Sequence, residues 1–304
     1  MTSTAPMRWL SALAIDLAFG EPPRALHPVV LMGWAIGTLE RAAPRDDRPA
    51  RAFGALVVGL PTIGAYVIGT FLDGQRWSPV RAALSVFILK STFALRELVG
   101  AAARVERALA ADAVDLARDE LRSLVSRPTG ELAAHEIASA TIESLAENLA
   151  DSYIAPLLFY RFGGIGAAIA YRVVDTADAM IGYRGRYEHL GKAAARADDA
   201  ANYLPSRLSA LAVVTAAPFV GADAHRAWQV ARNDHGRTAS PNAGWPMAAA
   251  AGALGLRLAK RSHYVLGDGA EPSARDIRRA RELVIAAAVL ATALVLGSYR
   301  GVPR

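Results

Sequence analysis

The segment AFGALVVGLPTIGAYVIGTFL, residues 52–72, carries no charged side chain. It is as long as a helix must be to cross a hydrocarbon layer about 30 Å thick. Backbone in that layer meets no water, so each N–H and C=O must be satisfied within the segment or by surrounding protein. Further apolar blocks lie at about 8–19, 79–99, 153–171, 208–222 and 283–297. Charged residues make up 20% of the chain, yet mean hydropathy is +0.22, so the apolar residues are gathered into blocks. No strand-like alternation and no internal repeat is present. The sequence therefore predicts an all-α fold: a polytopic integral membrane helical bundle, formed as one domain over residues 1–304.

The interruptions in these blocks matter as much as the blocks. Lys90 and Arg96 within 79–99 are predicted to face protein, water or the interface, not lipid. Segment 153–171 holds Pro156, Arg161 and Gly163–Gly164, and 208–222 is broken by Pro218. The loops at 22–51, 100–152, 172–207 and 226–282 are all arginine-rich, which places them together in the cytoplasm by the positive-inside tendency. Simple single crossings would put alternate loops on opposite sides. Segments 153–171 and 208–222 are therefore predicted to be re-entrant or broken helices, flanked by cytoplasmic helical loops. This describes a multi-pass protein of the cytoplasmic (inner) membrane. The first apolar run contains Asp16 and lacks an A-x-A-type cleavage site, so it is expected to be retained.

Other features exclude function classes. With no cysteine there is no disulfide, thiolate metal site or cysteine nucleophile. The net charge of +6 comes without a basic run interleaved with aromatics, so it is assigned to membrane flanks and not to nucleic acid. Nucleotide-binding loops of the G-x-x-x-x-G-K-[ST] and G-x-G-x-x-G types are absent, as are H-E-x-x-H and G-x-S-x-G.

Polar residues cluster in a few places. In HEIASATIESLAENLADSYIAP, Glu136, Glu143, Glu147 and Asp151 fall within about a quarter turn on a helical wheel, with Asn148 beside them. Like charges so gathered repel unless a cation or cationic partner neutralises them, and Mg²⁺ held by carboxylates and substrate phosphates suits that chemistry. A solvated acidic helix face is the alternative. Between 171 and 207, Asp175 and Asp178 share a face, and Asp198, Asp199 and Asn202 form D-D-x-x-N. Arg172, Arg184, Arg186, Lys192, Arg196 and Arg207 are interleaved with them, which suits a phosphate-bearing ligand. The same pattern also describes a cytoplasmic helix laced with salt bridges. The turn SPNAGWP, with Asn242, either offers N–H groups to an anion or packs as a re-entrant turn. His27 in GEPPRALHP is read as structural, and Thr129 in SRPTGEL as a helix N-cap, with Arg127 as a further phosphate ligand.

Four blocks in order, ATIESLAENLADSYIAPLL, AYRVVDTADAMIGYRGRYEHLG, ARADDAANYLPSRLSAL and SPNAGWPMAAAAGALGLRL, resemble the adenosylcobinamide-phosphate synthase family of cobalamin biosynthesis. The resemblance runs from about residue 10 to about 268. It implies an integral membrane ligase that joins adenosylcobyric acid, a corrinoid, to 1-aminopropan-2-yl phosphate or an ethanolamine-type analogue, with ATP as co-substrate and Mg²⁺ as cofactor. Four positions depart from the family pattern. Gly20-Glu21-Pro22 replaces Gly-Asp-Pro, Asp175 replaces asparagine, Arg127-Pro128-Thr129 replaces Arg-Asp-Thr, and Met247 stands where glutamate often follows Trp-Pro.

On this reading Glu143, Glu147, Asp198 and Asp199 are the candidate catalytic residues, and with Asp151 the candidate Mg²⁺ ligands. Arg127, Asn148, Arg172, Asp178, Tyr183, Arg184, Asn202 and Asn242 are the candidate substrate and phosphate ligands. Membrane lipid is the expected surroundings, and a homo-oligomer is left open. A transporter lined by the same charges and a non-catalytic membrane sensor are the rival readings.

Overall fold

The computed structural model describes residues 5–44, 46–74, 78–183 and 185–301, of which 300 and 301 by their backbone alone. In chain order the helices are α1 (Ala5–Phe19), α2 (Pro28–Arg41), α3 (Asp47–Asp73), α4 (Pro79–Lys90), α5 (Leu95–Ala110), α6 (Val114–Leu121) and α7 (Ala134–Leu149). A π-helical turn, Ala150–Ile154, precedes α8 (Ala155–Ile181). Then follow α9 (Lys192–Ala201), α10 (Tyr203–Ala216), α11 (Ala224–Asp234), α12 (Gly244–Leu254) and α13 (Ala274–Gly297). Two short strands, β1 (Leu258–Lys260) and β2 (Tyr264–Leu266), pair antiparallel. The protein is an all-α polytopic membrane protein. Among the described residues, four helical stretches are long and apolar enough to cross a membrane: Asp47–Asp73, Ala134–Ile181, Tyr203–Val220 and Ala274–Gly297.

The chain forms two compact units. The first comprises Met1–Ala94, Ala155–Asn202 and Ser298–Arg304. Its centre is α3 packed on α8. The approach is close because both helices present glycine: a Cβ on Gly69 would lie 2.5 Å from the Cα of Gly166. Ile36, Val57, Val173, Ala177 and Ile181 fill the space around that crossing. The outer side of α3 leaves Leu60, Ile63, Val67 and Phe71 exposed, as a lipid-facing stripe requires. Trp9 of α1 stacks between Phe93 and Tyr160, with ring centroids 4.6 and 5.7 Å away.

The predicted break in 153–171 is present. Gly164 has φ +68°, and the N–H of Ile165, which begins the second half of α8, donates to Asp73 Oδ2 at 2.7 Å. Arg8 holds the other Asp73 oxygen at 2.7 Å. A Cβ at Gly164 would sit 2.2 Å from Asp73 Oδ2, so the break and its carboxylate cap require glycine there. The break at Pro218 is also present, where α10 gives way to a 3₁₀ turn at Ala217–Val220.

The run 79–99 is not one crossing. It divides into α4 and α5, because Ser91 and Thr92 turn their hydroxyls back onto Ile88 O and Leu89 O, each at 2.7 Å, and close α4 after Lys90. Lys90 itself does face protein: its ammonium lies 3.1 Å from Asp16 and pairs with Glu21. His27 has the structural role expected of it. Its Nδ1 accepts from Val29 N at 3.2 Å, capping α2, while Nε2 meets Glu21 at 2.7 Å. Burial alone would raise the Glu21 carboxyl, but hydrogen bonds from His27 and Lys90 hold it below its ordinary value.

The second unit comprises Leu95–Ile154 and Tyr203–Gly297. In α5 the buried positions Leu98, Ala101, Ala102, Val105, Ala108 and Leu109 recur at three- and four-residue steps and pack on α6, α7 and α13. Helix α12 is buried on nearly every side among α7, α10 and α11, which its run of Ala and Gly allows. Helix α7 is likewise buried from Glu136 to Ala146. It does not start from Thr129, which is buried in the preceding turn. The first helical residue is Ala134, and Glu136 accepts the Ala133 N–H at 2.8 Å. The β1–β2 hairpin leaves no trace in the sequence, since two three-residue strands carry no alternation long enough to see.

Candidate active site

The acidic helix builds a site within the second unit. Glu143 is buried near the middle of α7 and is held by three donors. Ser139 Oγ, one turn earlier, donates to Oε1 at 2.8 Å. Tyr264 Oη of β2 donates to Oε2 at 2.9 Å, and Arg127 Nη2 stands 3.5 Å from the same oxygen. Ser139 Oγ also accepts the Ala259 N–H at 2.8 Å, so this one hydroxyl fixes the hairpin against α7. Burial, then the charge of Glu143, push the Tyr264 phenol well above its ordinary value, so it stays a donor. Arg127 Nε is buried without a partner and is available to a ligand.

Glu147, one turn on, differs from Glu143. It is half-buried and makes no hydrogen bond or ion pair among the described residues; its charged neighbours are Glu143 and Lys260 of β1. A carboxylate without donors, placed beside a second carboxylate, fits a cation. Asp151 falls in the π turn, so the α-helical spacing that aligned it with the other acids ends at Leu149. Asn148 is engaged within its own helix: Nδ2 donates to Ser144 O at 3.0 Å and Oδ1 accepts from Ser152 Oγ at 3.1 Å. Glu136 is tied to Arg261 and takes no part in the Glu143 cluster.

In the SPNAGWP turn the N–H groups of Asn242 and Ala243 are already bonded, both to Ser240 Oγ, at 3.2 and 3.3 Å. Asn242 is buried, and its Oδ1 accepts from Arg207 at 3.2 Å and Ser206 at 3.4 Å. Met247 Sδ lies 4.0 Å from Tyr264 Oη, so the departure from glutamate falls beside the Glu143 cluster.

The other predicted residues belong to the first unit. Arg172 pairs with Asp175 at 3.0 Å, one turn along α8. On α9, Asp198 Oδ1 accepts from Asn202 Nδ2 at 3.0 Å, and Asn202 Oδ1 accepts from Tyr171 Oη at 2.9 Å. The D-D-x-x-N spacing thus orients Asn202 from both ends. Burial, with the Asp175 and Asp178 carboxylates nearby, pushes the Asp198 carboxyl up to about 7. Burial raises Asp199 as well. Tyr183 lines a small cleft of about 250 Å³ with Tyr187, Lys192 and Arg196. Arg184 lies outside the described residues. Among the described residues no three His, Asp or Glu side chains are grouped to hold a metal ion. A Mg²⁺ ion here would take one or two carboxylates and complete its shell with water and substrate phosphate.

Sequence reasoning missed Ser139, Lys260 and Tyr264. Ser139 was accessible as the i−4 neighbour of Glu143. The two hairpin residues were not, because they reach α7 from about 120 positions away.

No solved structure matches this chain. Among curated proteins it is 43% identical over 269 residues to "Cobalamin biosynthesis protein CobD" of Dehalococcoides mccartyi, covering 87% of each chain. It is 39% identical over 297 residues to "Cobalamin biosynthesis protein CobD" of Mycobacterium tuberculosis, covering 92% of this chain and 93% of the relative. The "Probable cobalamin biosynthesis protein CobD" of Pyrococcus furiosus is 37% identical over 293 residues, covering 94% and 96%. The sequence profile of the CobD/Cbib protein family matches residues 9–292, and with these relatives it follows that the chain belongs to that family.

Proposed function

We propose that this protein is the adenosylcobinamide-phosphate synthase of its host. It would join the free carboxylate of adenosylcobyric acid to the amine of 1-aminopropan-2-yl phosphate, or a close analogue, with hydrolysis of ATP. Family membership supports cobalamin biosynthesis as the setting. The observation that carries the chemistry is the pairing of a donor-pinned Glu143 with a donor-free Glu147, between Arg127 and Lys260.

A carboxylate does not react with an amine at neutral pH until one of its oxygens becomes a leaving group. Transfer of the ATP γ-phosphoryl group to that oxygen gives an acyl phosphate and ADP. The amine nitrogen then attacks the acyl carbon, phosphate departs, and the amide remains. Phosphoryl transfer depends mainly on positioning and charge neutralisation. Arg127 and Lys260 supply positive charge to phosphate oxygens, Arg127 through its unpaired Nε. The substrate ammonium loses a proton to an acid near it before its neutral nitrogen attacks. Glu143, fixed by Ser139 and Tyr264, positions Arg127 beside Glu147. Glu147 in one unit, and separately Asp198 and Asp199 in the other, are the carboxylates that would hold Mg²⁺, which when bound would neutralise phosphate charge. In the first unit Arg172 and the Lys192–Arg196 cleft are the phosphate-binding groups.

The arginine-rich loops are assigned to the cytoplasmic side of the cell membrane, where such substrates would be found. Purified protein in lipid should release ADP only when the corrinoid acid is present, and should go beyond about one ADP per protein only when the amine is present too. ADP release without the corrinoid acid, or sustained release that ignores the amine, would count against the ligase reading.

A further inference from the structure

In the second unit a cleft of about 450 Å³ opens between the start of α7 and the β1–β2 hairpin. That size lies within the range of small-ligand pockets, about 300–1,000 Å³. Its charge is not balanced by its own walls. Arg261 is spent on Glu136, and His135 lies 4.0 Å from Glu271. Arg257, Lys260 and His263 line the same cleft, and their side chains make no hydrogen bond or ion pair among the described residues. Arg257 has no carboxylate partner and Lys260 has only the longer-range charge of the acid pair, so with the His263 imidazole they leave positive charge for an anion in this concavity.

The cleft is joined to the acid pair through shared residues. Ser139 and Tyr264 both line it, and both donate to Glu143. Lys260 stands opposite Tyr264 in the hairpin register, lines the cleft, and is the cationic neighbour of Glu143 and Glu147. A ligand seated against Lys260 would therefore have its anionic end beside those carboxylates.

We propose that this cleft binds a phosphate group through Arg257, Lys260 and His263. Two phosphates would suit it: the polyphosphate of a nucleotide and the phosphate monoester of the amine substrate. The choice of these two rests on the ligase reading above. The site itself rests on the hairpin geometry.

The test uses the full chain in discs of neutral lipid, without any corrinoid. Binding of Mg-ATP and of 1-aminopropan-2-yl phosphate is measured separately by titration calorimetry, for wild type, Lys260→Gln and Arg257→Gln. At least one probe should bind wild type, with affinity that falls at least tenfold in each variant. The probe that loses affinity identifies which phosphate the cleft holds. Arg257 is exposed, so its variant carries the test even if Lys260→Gln fails to fold. Equal affinity of all three proteins for both probes would overturn the proposal, as would failure of wild type to bind either. Repeating the titration in discs with anionic lipid separates a headgroup from a soluble phosphate. Loss of both probes there would assign the cleft to lipid and overturn the soluble-ligand reading. Binding does not require amide formation, so an inactive wild type that still binds through Lys260 and Arg257 would sink the ligase reading and leave the cleft standing.

Discussion

Tyr264 Oη donates to Glu143 Oε2 at 2.9 Å, which ties the β1–β2 hairpin to the middle of the buried acidic helix. The two residues are 121 positions apart in sequence. Through this bond the hairpin's cationic residue, Lys260, is carried to the acid pair.

Tyr264→Phe removes the donor and leaves the ring. A hydrogen bond to a charged group contributes about 1.5–3 kcal/mol, and a carboxylate that keeps Ser139 and Arg127 loses only part of its support. The thermal midpoint in detergent should fall by a few degrees, with the protein still folded. Amide formation should fall at least tenfold, because Lys260 is then held by the Ser139–Ala259 contact alone. Unchanged turnover alongside a lowered midpoint would leave Tyr264 a purely structural tie.

Glu147→Gln keeps the shape and removes a charge that no donor within the unit satisfies. Turnover should fall by at least two orders of magnitude, with little change in thermal midpoint, because no folded-state partner is lost. The dependence of rate on Mg²⁺ concentration should shift to higher values. Near-normal kinetics in this variant would return the acidic stripe to a structural role.

Asp198 gives a dependence of stability on pH with a definite sign. Its folded-state value is about 7, against an ordinary 3.8. Below about 3.8 both folded and unfolded chains hold the proton. Between 3.8 and 7 the unfolded chain releases it while the folded chain keeps it, so stability attributable to this group declines as pH rises, then levels off above 7. Asp198→Asn removes that decline and keeps an oxygen for Asn202. The gap in thermal midpoint between variant and wild type should grow in favour of the variant from pH 4 to pH 7. A gap that does not change with pH would contradict the raised value.

The arginine-rich loops should share one side of the membrane. Single cysteines at Ala111, Ala195 and Ala239, in a chain that has none of its own, should all escape a membrane-impermeant thiol reagent in intact cells and all react after lysis. Labelling of any one in intact cells would break the shared-side assignment.

How much of this was legible in the sequence varies from element to element. The uncharged run in α3 and the acids of α7 could be read because both are periodic along one helix. Gly163–Gly164 marked the break in α8, although the carboxylate that caps it, Asp73, comes from 92 positions earlier and left no local trace. Segment 79–99 misled because hydropathy averages over the turn where Lys90 is drawn to Asp16 and Glu21. Thr129 has the right residue type for a cap, but Glu136 reaches the Ala133 N–H and starts the helix there instead. The hairpin was invisible because three-residue strands have no measurable period, and its Lys260 and Tyr264 matter only through tertiary contact. The candidate site was therefore half legible: the carboxylates on α7 were visible, and the groups that hold and neutralise them were not.

Amide formation is tested by incubating the purified protein in lipid with adenosylcobyric acid, 1-aminopropan-2-yl phosphate and Mg-ATP, and identifying the product by mass spectrometry. The expected product is a corrinoid whose mass equals the sum of the two substrates less one water, formed one-for-one with ADP and absent with Glu147→Gln. Recovery of both substrates unchanged, from wild-type protein that is folded and binds them, would contradict the ligase reading.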